Sequence, residues 1–267
     1  MTQKWQSYDS AAATHDRVSV PSAFAAPARD LVARIGLPER GAILDVGTGT
    51  GIAALIAMES AGPGSTIVGL DPSLEMLRVA RSHGLPSLVA GAVPGLPFPD
   101  KSFDRALASF VLNHVTSFHE SLLDMARVLR PGGRLGVTAW GSIQNEFRQA
   151  WQSLAESFVG KEAFQAGTRS GLPWDEWFTD AANLRQAFEE AGLAGIEMYY
   201  QIYEARMTIE EFLAMRDASQ HGRFMRGALE DRQWNQFRQA LSAEFSRRFN
   251  DPIEHSRDVN IAIGTRR

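Results

Sequence analysis

Ala42-Ile43-Leu44-Asp45-Val46-Gly47-Thr48-Gly49-Thr50-Gly51-Ile52-Ala53-Ala54 is the stretch whose reading decides the fold. Its apolar run is rich in branched side chains, bounded by Gly41 and Gly47, and too short for a helix, so it predicts a buried strand of a parallel sheet. Beyond the glycines, Ile52, Leu55, Ile56 and Glu59 recur at helical spacing. The stretch therefore predicts strand, tight loop and helix. Glycine lets backbone turn sharply and approach a ligand, and the free N–H groups at a helix start favour an anion. Together these predict a nucleotide-type cofactor loop.

Two cofactor classes compete for it. Gly49-x-Gly51-x-x-Ala54 satisfies the dinucleotide pattern G-x-G-x-x-G/A, but only in a shifted frame. In the usual frame the first glycine directly follows the strand; here that is Gly47, and position 52 is then Ile. Asp45 at the mouth of the loop would repel a pyrophosphate and favours a cationic ligand. S-adenosylmethionine (SAM) carries an ammonium and a sulfonium. Further on, Thr66-Ile67-Val68-Gly69-Leu70-Asp71 ends a second strand in an acid suited to accept hydrogen bonds from ribose hydroxyls. Dehydrogenases and methyltransferases share that feature, so the rest of the chain must decide.

Outward from this centre, residues 8–16 and 22–35 predict helices that end at Gly36-Leu37-Pro38. Ser73 predicts a helix cap, Ser87–Ala90 a third strand, Arg105–Phe110 a fourth, Phe118–Leu129 a helix and Arg134–Ala139 a fifth strand. Strands alternating with helices predict a doubly wound parallel sheet. From Trp140 the rhythm changes, with helical patterns at Asn145–Phe158 and Asn183–Ala191 around the aromatic stretch Leu172–Phe178. Strands at Ile196–Tyr203 and Asp258–Gly264 bracket helices at Ile209–Arg216 and Asp231–Phe249.

With 267 residues, 44% of them hydrophobic, the chain can bury one large core. A net charge of −4 gives no general attraction to nucleic acid phosphates. The chain has no cysteine, which excludes disulfides, thiolate zinc sites and a cysteine nucleophile. Met1–Gln6 lacks the apolar core of a signal peptide and no run approaches the ~18 residues of a membrane span, so a cytoplasmic protein is expected. Oligomeric state stays open.

Four segments in order carry a more specific message: Leu44–Gly51, Leu70–Leu77, Gly91 with Leu96–Asp104, and Arg127–Gly133. They resemble the class I, Rossmann-like SAM-dependent methyltransferases, in the subgroup that includes ubiquinone, menaquinone and natural-product methyltransferases. The resemblance covers about the first half of the chain. It implies an α/β fold with a doubly wound, mostly parallel seven-stranded sheet, the last strand antiparallel, and helical insertions capping the active site. Residues 1–267 would form one domain: a cofactor half at 1–140, cap insertions at 141–194 and 204–256, and closing strands at 195–203 and 257–267.

The implied cofactor is SAM, with S-adenosylhomocysteine (SAH) as product. In such enzymes the loop with Asp45, Gly47, Thr48, Gly49 and Gly51 would hold the methionyl part, Asp71 the ribose, and Pro72 and Met76 would lie near the adenine. Ala92 and Val93 occupy the place where the family has an Asp that accepts from the adenine amino group; Ser109 completes the set. A lost hydrogen bond there would cost about 1 kcal/mol, a several-fold change in affinity.

Transfer to a small molecule is an in-line displacement needing alignment and a dry pocket, with a base only if the acceptor must lose a proton. His114, just past the fourth strand, is the candidate base; the alternative is a loop histidine bonded to backbone. Trp140, Trp174, Trp177 and Tyr199 are candidates for the acceptor pocket, against the alternative that the tryptophans form core. The spacing of His114 and His119 does not suit a metal. The expected activity is methyl transfer to an O, N or C atom of a small, partly apolar molecule. A SAM-fold binder without transfer and a nicotinamide-dependent oxidoreductase are the rivals.

Overall fold

The computed structural model describes residues 7–267, so Met1–Gln6, read above for a leader, lie outside the described residues. Seven strands form one sheet in the order β3-β2-β1-β4-β5-β7-β6. They are β1 (Ala42–Val46), β2 (Thr66–Asp71), β3 (Ser87–Ala90), β4 (Phe103–Ser109), β5 (Leu129–Trp140), β6 (Leu193–Met207) and β7 (Ile253–Arg266). β1 to β5 pair in parallel, whereas β7 runs antiparallel to both β5 and β6. The expected sheet and the reversed last strand are both present.

The N-terminal part is one nearly continuous helical run: a 3-10 turn at Asp9–Ala11, α1 (Ala12–Thr14), a wide π-helical stretch at His15–Phe24 and α2 (Ala25–Ile35). Pro21 lies inside the wide stretch, where sequence reasoning expected a break between two helices. The remaining core helices are α3 (Ile52–Ser60), α4 (Leu74–Ser82) and α5 (Phe118–Val128). Alternation along the strands sends Ile43 and Leu107 to one face, against Leu31, Ile35 and Ala57, and Leu44, Val46 and Ala108 to the other, against Leu122 and Met125. Burial on both faces is why β1 reads as an apolar run, broken only at Asp45.

After β5 come α6 (Glu146–Val159), α7 (Lys161–Gly171), a 3-10 turn at Trp177–Thr179 and α8 (Ala181–Glu190); after β6 come α9 (Ile209–Ala218), α10 (Gln220–Ala228) and α11 (Asp231–Arg248). Both excursions meet in a third apolar cluster built on Phe147, Trp151, Phe164, Phe212, Phe237 and Phe245. α8 departs from the expected cap at 141–194. Its Leu184, Ala187 and Phe188 pack on the sheet with Leu135 and Val137. β6 and β7 overrun the expected closing strands, staying paired out to Met207 and Ile253 and so carrying the second excursion away from the sheet. α7 and α10 escaped the sequence reading because they hold helix-disfavouring glycines. Gly167 is needed there, since a Cβ would lie 2.0 Å from the Phe224 ring.

Candidate active site

The chain winds outward from β1 through β2 to β3, then returns to β4 on the other side of β1. The loops leaving β1 and β4 therefore diverge, and a crevice opens at their carboxyl ends. A cavity of about 740 Å³ lies there. Asp45, Gly47, Thr48 and Gly49 line it from the loop after β1, and Asp71, Pro72 and Met76 from the end of β2 and the start of α4. Ala92 and Val93 reach it after β3, and Ser109 at the end of β4. Gly51 is the exception: it stands behind the loop, as the residue before α3, where a Cβ would meet that of Ala80 at 3.2 Å.

Asp45 is buried, and its Oδ2 accepts both the Thr48 hydroxyl (2.6 Å) and the Ala54 N–H (3.1 Å). No ion pair to it forms among the described residues. Burial, opposed by those two bonds and assisted by the charge of Asp71, pushes its pKa up to about 7. This is a carboxylate lacking a cation. Asp71 clamps the site: Oδ2 accepts the Gly49 N–H and Oδ1 the Ser73 N–H, each at 2.8 Å. Each oxygen keeps a further lone pair. Burial raises its pKa as well. The N-terminal run closes onto the same corner, where Asp9 Oδ1 accepts the Ser73 hydroxyl at 2.6 Å.

Across the cavity stand His114 and Trp140. Trp140 stacks on Phe110 at 3.9 Å, with Phe24 edge-on at 5.6 Å. The His114 ring is accessible, but to the cavity: it lies deep enough that desolvation, against the pull of Asp175, pushes its pKa down to about 4. It is thus neutral near pH 7. The Gly171 backbone beside the ring pulls the pKa weakly the other way.

Three expected pocket residues lie elsewhere. Trp174 donates its indole N–H to the Val115 carbonyl (2.9 Å) and packs edge-on to Phe118, while Trp177 stacks on Phe118 at 4.7 Å. Both belong to the core beside α5, because Phe118 and Phe178 form an aromatic nest that takes them in. Tyr199 sits on the opposite sheet face, its hydroxyl donating to Glu197 and Arg34 over its ring at 4.2 Å.

The cavity also gathers residues that sequence reasoning missed: Tyr8 and His15 from the N-terminal run, and Arg148, Arg216, His221 and Arg257 from the cap side. Their separation along the chain hides them, with one legible trace. Arg216 falls on the buried stripe of α9 with Phe212 and Leu213, where an aliphatic residue is expected. Among the described residues, no cluster of three or more His, Asp and Glu side chains is placed to hold a metal.

A family profile described as a methyltransferase domain matches residues 44–137. The chain is 33% identical over 166 residues to a demethylmenaquinone methyltransferase of a Mycobacterium species (strain KMS), covering 62% of this chain and 69% of the relative. It is 30% identical over 192 residues to the ubiquinone/menaquinone biosynthesis C-methyltransferase UbiE of Burkholderia mallei (strain SAVP1), covering 63% of this chain and 73% of the relative. The crystal structure of the YcgJ protein of Bacillus subtilis shares the fold, with a TM-score of 0.55, 19% identity, and coverage of 91% of this chain and 99% of that one. The glycine loop, the acid ending β2, the reversed last strand and these relatives converge, and the chain belongs to the class I SAM-dependent methyltransferases.

Proposed function

We propose that this methyltransferase moves a methyl group to an O, N or C atom of a small, partly apolar molecule held between His114 and Trp140, with SAM against the β1 and β2 loops. The cavity's two unlike walls carry the reading: one has acids and glycines, the other aromatic rings and a neutral imidazole. The donor set fits SAM. Asp45, buried without a cation, suits the ammonium; Asp71 has lone pairs for ribose hydroxyls; Met76 and Val93 offer apolar contact to a purine. Ala92 has no side-chain acceptor for the adenine amino group, so backbone carbonyls of that loop must serve.

When bound, SAM would supply a methyl group on a sulfonium; an electron pair of the acceptor, a lone pair on O or N or a π pair at C, forms the new bond as the sulfur–carbon bond breaks, and SAH leaves. The chain's own residues align and dry the site. Trp140 and Phe110 wall the acceptor, and the N-terminal run, pinned through Asp9 to Ser73, screens the cavity from water. His114, uncharged, takes the proton of an O–H or N–H acceptor through its free ring nitrogen. Demethylmenaquinone, named for the Mycobacterium relative, fits the partly apolar class.

Calorimetric titration of SAM and SAH, with NADH as control, followed by transfer of labelled methyl to candidate acceptors, tests the reading. Micromolar SAM and SAH binding without NADH binding is expected. Absence of SAM binding would sink it.

A further inference from the structure

The acceptor end of the cavity holds three arginines on three separate elements: Arg148 on α6, Arg216 in the last turn of α9 and Arg257 on β7. None of their guanidinium groups makes a hydrogen bond or ion pair among the described residues. Arg216 lies with its guanidinium carbon 4.4 Å from the Trp151 ring centre and its buried Nε without a partner; Arg257 lies 3.3 Å over Trp140. Burial pushes the pKa of all three down; the charge of Arg148 lowers that of Arg216 and Arg257 further, and Arg216 adds to the effect on Arg257.

The surrounding charges do not neutralise them. Asp175 is nearest in effect, but its Oδ1 accepts from Asn113 Nδ2 at 3.0 Å. Asp258 gives both oxygens to the N–H groups of Ser142 and Ile143, and Asp217 pairs with Arg238 at 3.1 Å. His221, beside them, is held neutral by burial and by the three arginines. The neighbouring Arg223 is engaged with the Ala218 carbonyl and Gln220. Unpaired buried charge costs several kcal/mol per ion, so this arrangement destabilises the empty protein. A planar guanidinium fork is also the group best matched to a carboxylate or phosphate.

We propose that the methyl acceptor carries an anionic group, a carboxylate or a phosphate, which docks between Arg148, Arg216 and Arg257 while its apolar body lies against Phe24, Trp140 and Met215. This rests on the methyltransferase reading of the same cavity and narrows its substrate class. Three cations against the carboxylates of Asp175 and Asp258 leave about one positive charge unbalanced, which a carboxylate or a phosphate monoanion would neutralise.

The test uses the full chain and inorganic phosphate, with sodium chloride of equal ionic strength as control. Phosphate at ten times its dissociation constant is expected to raise Tm by about 3 °C. That shift should vanish in Arg148→Gln and Arg257→Gln, while SAH still raises the Tm of both. Without reference to variants, phosphate should slow phenylglyoxal modification of Arg148, Arg216 and Arg257 roughly tenfold and leave that of exposed Arg78 unchanged. No phosphate-specific shift or protection, or a shift that survives in both variants, would overturn the proposal. Benzoate and phenyl phosphate, run against benzyl alcohol, then separate the two anions: the one giving the larger shift is the docking group, and equal shifts for all three overturn the proposal. Failure of SAH to bind with the phosphate effect intact would count against the methyltransferase reading alone.

Discussion

Asp45 shows how one side chain ties stability to ligand. Below about pH 4 it is protonated in folded and unfolded chains alike, so it costs nothing. Between about pH 4 and 7 the unfolded chain ionises while the folded one keeps its proton, and stability falls as pH rises. Above pH 7 the loss levels off at roughly 4 kcal/mol. Because Oδ2 alone takes both hydrogen bonds, an amide oxygen can replace it. Asp45→Asn should therefore raise the Tm of the unliganded protein at pH 8 and raise it far less at pH 4.5, while weakening SAM at least ~10-fold. Melts at the two pH values and calorimetry check this, and a lowered Tm at pH 8 would refute it. For Asp71→Ala, which removes the proposed ribose acceptor and releases Gly49 and Ser73 together, SAM affinity should fall ~10-fold or more, about 1–2 kcal/mol. Unchanged affinity in calorimetry would remove its assigned role.

The unit of β1, loop and α3 assigns different work to glycines two residues apart. Gly49 has φ +56 and lines the cavity, and a Cβ there would have His15 Nε2 at 4.0 Å as its nearest neighbour. Gly51 has φ +98 and would press a Cβ against Ala80 of α4. Both substitutions by alanine carry left-handed strain of about 1 kcal/mol. Gly49→Ala should add a loss of SAM affinity, because its methyl group enters ligand space. Gly51→Ala should add a loss of stability, with SAM affinity kept within about threefold. Denaturant melts and SAM titrations on the pair separate the two roles; equal SAM losses would show that both glycines face the ligand.

The whole molecule is a sheet domain whose cavity is completed by helices from two distant excursions. Trp151, fully buried, is the hinge of that arrangement: it packs on Phe164 and Phe237 and carries Arg216 on its face. Trp151→Ala should cost about 3–5 kcal/mol. The phosphate-dependent Tm shift should fall with it, since Arg216 loses the ring that aims it. The SAH-dependent shift should persist, because Asp45 and Asp71 stand on the sheet. Thermal melts with each ligand check the split, and loss of the SAH shift would mean that the cap also forms the cofactor wall.

The sequence by itself determined the parallel sheet, the glycine loop and nearly the whole wall of the cavity that the ends of β1, β2 and β3 supply. Burial on both faces writes itself as an apolar run, and a loop against a ligand needs glycines and acids close together in the chain. It also determined the family, through four segments in order. Tertiary structure alone decided the rest of the cavity lining. It moved Trp174, Trp177 and Tyr199 out of the pocket, because aromatic residues are equally stable in any apolar nest and their type does not say which. It brought in Arg148, Arg216 and Arg257, spread over more than a hundred positions of the chain, because charges on three elements become a site only when the packing of the cap aims them at one point.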